Sequence, residues 1–182
     1  MLAKNVMLIG FQASGKTTFG RLLAKQLNRP FIDTDDLIQQ YHPSLSCREI
    51  YRTFSKDYFR RLEAEVVAGL EHTLRGAVIA TGGGCLMNES NGYSLKKHSH
   101  VIYLEVSFQV LKERILTRTS LPSYLDKGDP ENSLKHLYEE RSAIYEKWAD
   151  QILTIQQEDM TQTLKRLYEM SLSLQDALNY QG

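Results

Sequence analysis

An α/β fold built on a three-layer parallel sheet of five strands flanked by helices is predicted by three observations. Short apolar runs alternate with longer helical patterns, a glycine-containing loop directly follows the first run, and carboxylates and glycines gather where the next two runs end. The strand candidates are residues 6–9, 30–32, 77–80, 100–104 and 151–155, with segments between them long enough for crossover helices. A first helix starting near Lys16 is continued by Leu22, Leu23, Gln26 and Leu27. Phe108, Leu111, Ile115 and Leu116 give a later helix an apolar face at i, i+3, i+7, i+8 spacing. Leu164, Leu167, Tyr168, Leu172 and Leu174 mark a terminal amphipathic helix folding back on the sheet. Two stretches exceed what a simple crossover needs. Residues 33–74 insert extra helical material, enough for a substrate-binding unit, and residues 117–129, with Arg118, Ser120, Pro122, Ser123, Lys127 and Gly128, read as a lid.

The 182 residues, 42% of them hydrophobic, suit one domain spanning 1–182, with no repeat, low-complexity tract or linker. Lys plus Arg and Asp plus Glu both number 22, so no charge excess points to nucleic acid, and a small metabolite is the better partner. No apolar run is long enough to cross a bilayer. Cys47 and Cys85 make neither a disulfide framework nor a zinc cluster, which together with the absence of a signal-peptide pattern implies a reducing cytoplasm.

Residues 10–17 read Gly-Phe-Gln-Ala-Ser-Gly-Lys-Thr, a complete G-x-x-x-x-G-K-S/T phosphate loop. Gly10 and Gly15 permit the tight turn that aims backbone N–H groups, through Ala13 and Ser14, at a polyphosphate held against a helix N-terminus carrying Thr17 and Thr18. Lys16 is expected to face solvent until it meets the β- and γ-phosphates, and Thr17 to offer Mg²⁺ a hydroxyl oxygen. Asp33 and Asp35, in Phe-Ile-Asp-Thr-Asp, end the second strand. In a strand-like continuation they project to one side, toward a hydrated metal and a substrate hydroxyl, although helix capping explains the pattern equally well. Thr81-Gly82-Gly83-Gly84 follows the third strand, either as a backbone N–H cradle for a ligand or as a tight turn. Arg60, in Phe-Arg-Arg-Leu-Glu, and Arg141, in Glu-Arg-Ser-Ala-Ile-Tyr, carry planar forks suited to a carboxylate or a phosphoryl group.

The order of these motifs resembles the shikimate kinase family over nearly the whole chain. The resemblance implies a phosphate-loop, nucleoside-monophosphate-kinase-like fold with an acceptor-binding insertion and a closing lid. It further implies transfer of the ATP γ-phosphoryl group to the 3-hydroxyl of shikimate, with Mg²⁺, in aromatic amino-acid biosynthesis, by a cytoplasmic monomer. By the same resemblance Gly10, Ala13, Ser14, Gly15, Lys16, Thr17, Thr18 and Arg114 serve the nucleotide, with Arg114 near the adenine. Thr17 and Asp33 serve Mg²⁺, and Asp35, Arg60, Gly82, Gly83 and Arg141 hold shikimate, with Glu63 orienting Arg60. Lys16 and Asp35 are the catalytic pair.

The chain departs from that pattern at three places. Ala13 stands where the family has an additional glycine, a costly change if φ is positive. Leu121-Pro122-Ser123-Tyr124 replaces Arg-Pro-Leu-Leu, removing the lid arginine, so that slower turnover, substitution by Arg118 or Lys127, or a changed role follows. Lys56 replaces a common acidic residue near the acceptor. A kinase of another small hydroxylated acid or sugar, or a weakly catalytic nucleotide-binding regulator, are the alternative readings.

Overall fold

The structure, a computed structural model, describes residues 4–73, 75–117, 121–122, 124–156 and 159–179, with backbone alone at 71–73 and 174–179. Five strands form one sheet: β1 (Asn5–Ile9), β2 (Phe31–Asp33), β3 (Val78–Ala80), β4 (Ser99–Val106) and β5 (Gln151–Ile155). Every pairing is parallel and the order is β2-β3-β1-β4-β5. All five β1 residues are buried, and β4 is buried at six of its eight positions. A parallel sheet covered on both faces demands such near-continuous apolar runs, which explains why these strands show no alternation in the sequence.

Helix α1 (Lys16–Leu27) leaves the phosphate loop and packs against β3 and against the terminal helix α8 (Met160–Asn179), which also meets β5. Of the stripe residues in these two helices whose side chains are described, Leu23 and Leu167 are fully buried. Between β2 and β3 lie α2 (Thr34–Gln39), α3 (Cys47–Phe54) and α4 (Lys56–Thr73), which pack on one another. Ser46 and Glu49 close a reciprocal capping box at the start of α3. After β3 come α5 (Glu89–Lys96) and, beyond β4, α6 (Phe108–Leu116) and α7 (Pro130–Trp148). The apolar face of α6 buries Leu111 and Ile115. Asp129 caps α7 and Pro130 opens it, as a fixed φ near −65° favours. Among the described residues, no helix is long and apolar enough to cross a membrane. Leu74, Arg118, Ser120 and Ser123, parts of the insertion and lid read from sequence, lie outside the described residues.

Candidate active site

The phosphate loop turns through three positive φ angles: Gly10 at 144°, Ala13 at 66° and Gly15 at 98°. Two fall on glycines, as the turn requires. The third is Ala13, so the departure noted in the sequence carries its cost: a side chain sits in the left-handed region. Its carbonyl accepts a 3.0 Å hydrogen bond from Arg114 at the end of α6, so Arg114 braces the loop from a helix far along the chain.

Lys16 corrects an expectation. It does not face solvent: it is 8% exposed, and its Nζ donates to the carbonyls of Gly10 at 2.9 Å and Phe11 at 2.8 Å and to Ser14 Oγ at 3.4 Å. The turn of the loop points these two carbonyls at the Lys16 ammonium, which satisfies them. Burial lowers the Lys16 pKa to about 8, against the opposing pull of Asp35 and Asp33.

Asp33 and Asp35 come together by a different geometry from strand alternation. The strand ends at Asp33, which caps α2 by accepting from the backbone N–H of Asp35 at 3.0 Å, and Asp35 therefore lies in the first helical turn. Capping and site chemistry are not alternatives here. The other Asp33 oxygen, Oδ2, accepts from Thr17 Oγ1 at 2.8 Å, bridging the second strand to the phosphate loop. A hydroxyl and a carboxylate side by side are hard oxygen donors that fit Mg²⁺. Among the described residues there is no group of three or more His, Cys, Asp or Glu side chains placed to hold a metal ion.

The triple glycine is a close-approach device. A β-carbon on Gly82 would stand 2.6 Å from Asp35 Oδ1, one on Gly83 3.2 Å from the Gln12 nitrogen, and one on Gly84 2.3 Å from Arg60 Nη2. Three successive residues thus admit a carboxylate, the phosphate-loop backbone and a guanidinium. The expected N–H cradle is partly corrected: the Gly82 N–H donates inward to Thr34 Oγ1 at 2.9 Å. The Gly83 carbonyl accepts from Arg141 at 3.4 Å and from the Tyr145 hydroxyl, one helical turn along α7.

Arg60 and Arg141 reach the same cavity from α4 and α7. Its volume is about 480 Å³, and its wall includes Gln12, Asp35, Arg60, Glu63, Gly82 and Arg141. Arg60 Nη1 is held 2.5 Å from Glu63 Oε2, and Glu63 is only 1% exposed. Burial raises the Glu63 pKa even against the attraction of Arg60. Arg141 lies 5.5 Å from the Phe11 ring and 5.4 Å from the Tyr124 ring. Burial first, then the neighbouring Asp33 charge, push the Asp35 pKa up to about 6, although Lys16 pulls it down.

Cys47, Arg48, Tyr51, Phe59, Gly84 and Tyr124 also line the cavity, and the sequence motifs give none of them an individual site role. Gly84 and Phe59 lie in the motifs themselves and Tyr124 in the lid segment, whereas nothing local to Arg48 tells that its face of α3 meets a cavity. Lys56, by contrast, is exposed and lies outside the cavity wall, as does Lys127; Arg118 lies outside the described residues.

This arrangement has close counterparts. The family profile described as shikimate kinase matches residues 12–171. A shikimate kinase of Clostridium botulinum (strain 657 / Type Ba4) is 35% identical over 166 residues, 91% of this chain and 96% of its own length. Among solved structures, the shikimate kinase from Acinetobacter baumannii in complex with shikimate superposes with a TM-score of 0.84 at 28% identity, covering 94% of both chains. The shikimate kinase from Aquifex aeolicus gives 0.77 at 34% identity, covering 93% of this chain and 96% of its own. With sequence likeness and sheet architecture agreeing from the phosphate loop to the terminal helix, the chain belongs to the shikimate kinase family.

Proposed function

We propose that the protein is a shikimate kinase, transferring the ATP γ-phosphoryl group to the 3-hydroxyl of shikimate in aromatic amino-acid biosynthesis. The observation that carries this reading is the joining, in one cavity, of the phosphate-loop flank at Gln12 to a buried carboxylate, Asp35, and two guanidiniums, Arg60 and Arg141. That set matches an acceptor bearing both a hydroxyl and a carboxylate. In this reading Lys16 exchanges its loop carbonyls for the β- and γ-phosphates, while Gly10, Ala13, Ser14, Gly15 and Thr18 frame the polyphosphate and Arg114 braces the loop beside the adenine. Thr17 and Asp33 hold Mg²⁺, which when bound neutralises charge developing on the phosphoryl oxygens.

Arg60 and Arg141 take the shikimate carboxylate, with Glu63 holding the first and the Gly83 carbonyl accepting from the second. Gly82 and Gly83 leave room for the ring. Asp35 accepts the proton of the 3-hydroxyl as that oxygen bonds to the γ-phosphorus and the bond to the β-phosphate bridge breaks, releasing ADP. A carboxylate titrating at about 6 is well matched to this task near neutral pH. We further read the protein as a monomer, acting in the cytoplasm and forming a single catalytic domain. A coupled ADP-release assay with shikimate, quinate and gluconate tests the reading. Turnover with shikimate well above the other two is expected; equal turnover, preference for gluconate, or none at all would refute it.

A further inference from the structure

Two side-chain hydrogen bonds anchor Leu121 and Tyr124 beside the cavity that Pro122 and Tyr124 line. Arg48, in the first turn of α3, donates from Nη2 to the Leu121 carbonyl at 2.6 Å. Tyr124 donates its hydroxyl to Oε1 of Gln12 in the phosphate loop. The same tyrosine ring stands 5.4 Å from the Arg141 guanidinium, which also lies 5.5 Å from Phe11. Pro122, between the two fastening points, is buried and lines the cavity together with Arg48 and Tyr124. These contacts tie three separate elements: the acceptor insertion, the phosphate loop and the helix that carries Arg141.

We propose that Tyr124 and Arg48 are positioning residues for the acceptor, clasping Leu121, Pro122 and Tyr124 over the cavity and fixing the guanidinium plane of Arg141. The aromatic contact sets that plane, because a guanidinium stacked on a ring loses freedom before it meets a carboxylate. The two hydrogen bonds hold Leu121 and Tyr124 in place beside the cavity. Leu121 stands where the family's lid arginine would be, so its backbone, held by Arg48, takes part where its side chain offers no charge. The inference rests on the cavity being the acceptor site.

The test compares Tyr124→Phe, Gln12→Ala, their double variant, Tyr124→Ala and Arg48→Ala, with Arg60→Ala as reference. Steady-state kcat and KM for shikimate, single-turnover phosphoryl transfer, and calorimetric Kd values for shikimate and MgADP are measured on proteins with parental circular dichroism. Tyr124→Phe, Gln12→Ala and Arg48→Ala are each expected to raise the shikimate KM and Kd about three- to tenfold, the loss of one ordinary hydrogen bond, with MgADP affinity within twofold of the parent. The double variant should be no worse than the worse single, and Tyr124→Ala should be worse than Tyr124→Phe because the ring is lost as well. Additive effects of Tyr124→Phe and Gln12→Ala, or unchanged shikimate affinity while Arg60→Ala loses it, would overturn the clasp. So would a slower single turnover at unchanged KM in Arg48→Ala, which would give Arg48 to the phosphoryl group by its charge. If Arg60→Ala also keeps full shikimate affinity, the acceptor assignment itself fails, and the clasp with it.

Discussion

Ala13 is the one phosphate-loop residue whose backbone conformation opposes its side chain. A non-glycine residue in the left-handed region costs about 1–2 kcal/mol, whereas glycine brings back about 0.5–1 kcal/mol of chain entropy. Ala13→Gly is therefore expected to stabilise the protein by about 0.5–1 kcal/mol, raising Tm by a few degrees in a calorimetric scan with the phosphate-loop geometry intact. Asp35 and Lys16 define a second test. With Asp35 titrating at about 6 and Lys16 at about 8, kcat/KM should rise with pH through about 6 as the base deprotonates. It should fall above about 8 as the ammonium is lost, giving a bell read directly from initial rates. The stability consequence has a definite sign. The Asp35 pKa is raised in the fold above its ordinary 3.8, so the native state binds this proton more tightly and loses that advantage as pH climbs from about 4 to about 6. Asp35→Asn should then raise Tm at pH 7 and leave it nearly unchanged at pH 4, while turnover drops by about 10²–10⁴-fold. Equal Tm gains at both pH values would show that the carboxylate is not the source of the strain.

At the scale of elements, the junction between α3 and α4 stores strain in Ser55, at φ 126° and ψ 165°, a region occupied almost only by glycine. Its hydroxyl accepts from the Tyr58 N–H at 3.3 Å, a modest return. Ser55→Gly is expected to gain about 1 kcal/mol, seen as a higher denaturation midpoint at unchanged slope. The strain aims α4, and α4 aims Arg60 and Glu63. In the proposed scheme, truncating Arg60 leaves both the shikimate carboxylate and buried Glu63 without this partner, so Arg60→Ala should cost about 2–5 kcal/mol in shikimate binding and far less in nucleotide binding, measured by titration calorimetry. Equal weakening of both ligands would contradict a dedicated acceptor clamp.

For the whole molecule, sheet order explains how motifs distant in sequence share one cavity. In the order β2-β3-β1 the three strands are parallel neighbours, so the loops leaving their carboxyl ends lie side by side: the phosphate loop after β1, Asp33 and Asp35 after β2, the glycines after β3. Arg141 joins them because α7 packs on β4, the other neighbour of β1. Ligands gripped by so many elements should stabilise the entire fold. Saturating MgADP and shikimate together at about 100 times their Kd values are expected to add about 2.7 kcal/mol each, visible as a concentration-dependent rise in Tm that gluconate does not reproduce.

The sequence by itself determined the five strands to within two residues, the helices after the phosphate loop and over 108–116, the terminal helix, and the family, because apolar runs and fixed motif spacings are local properties of the chain. It also identified the groups that meet in the cavity: Asp35, Arg60, Gly82, Gly83 and Arg141. Tertiary structure alone decided the rest. Lys16 lies folded into its own loop because two carbonyls there need a donor, a balance no motif encodes. Asp33 serves at once as helix cap and as partner of Thr17 because α2 begins one residue after β2. Arg48 and Tyr124 meet the cavity through contacts 73 and 112 residues apart in the chain, and pairings at such separation are fixed by packing rather than by any pattern in the sequence around them.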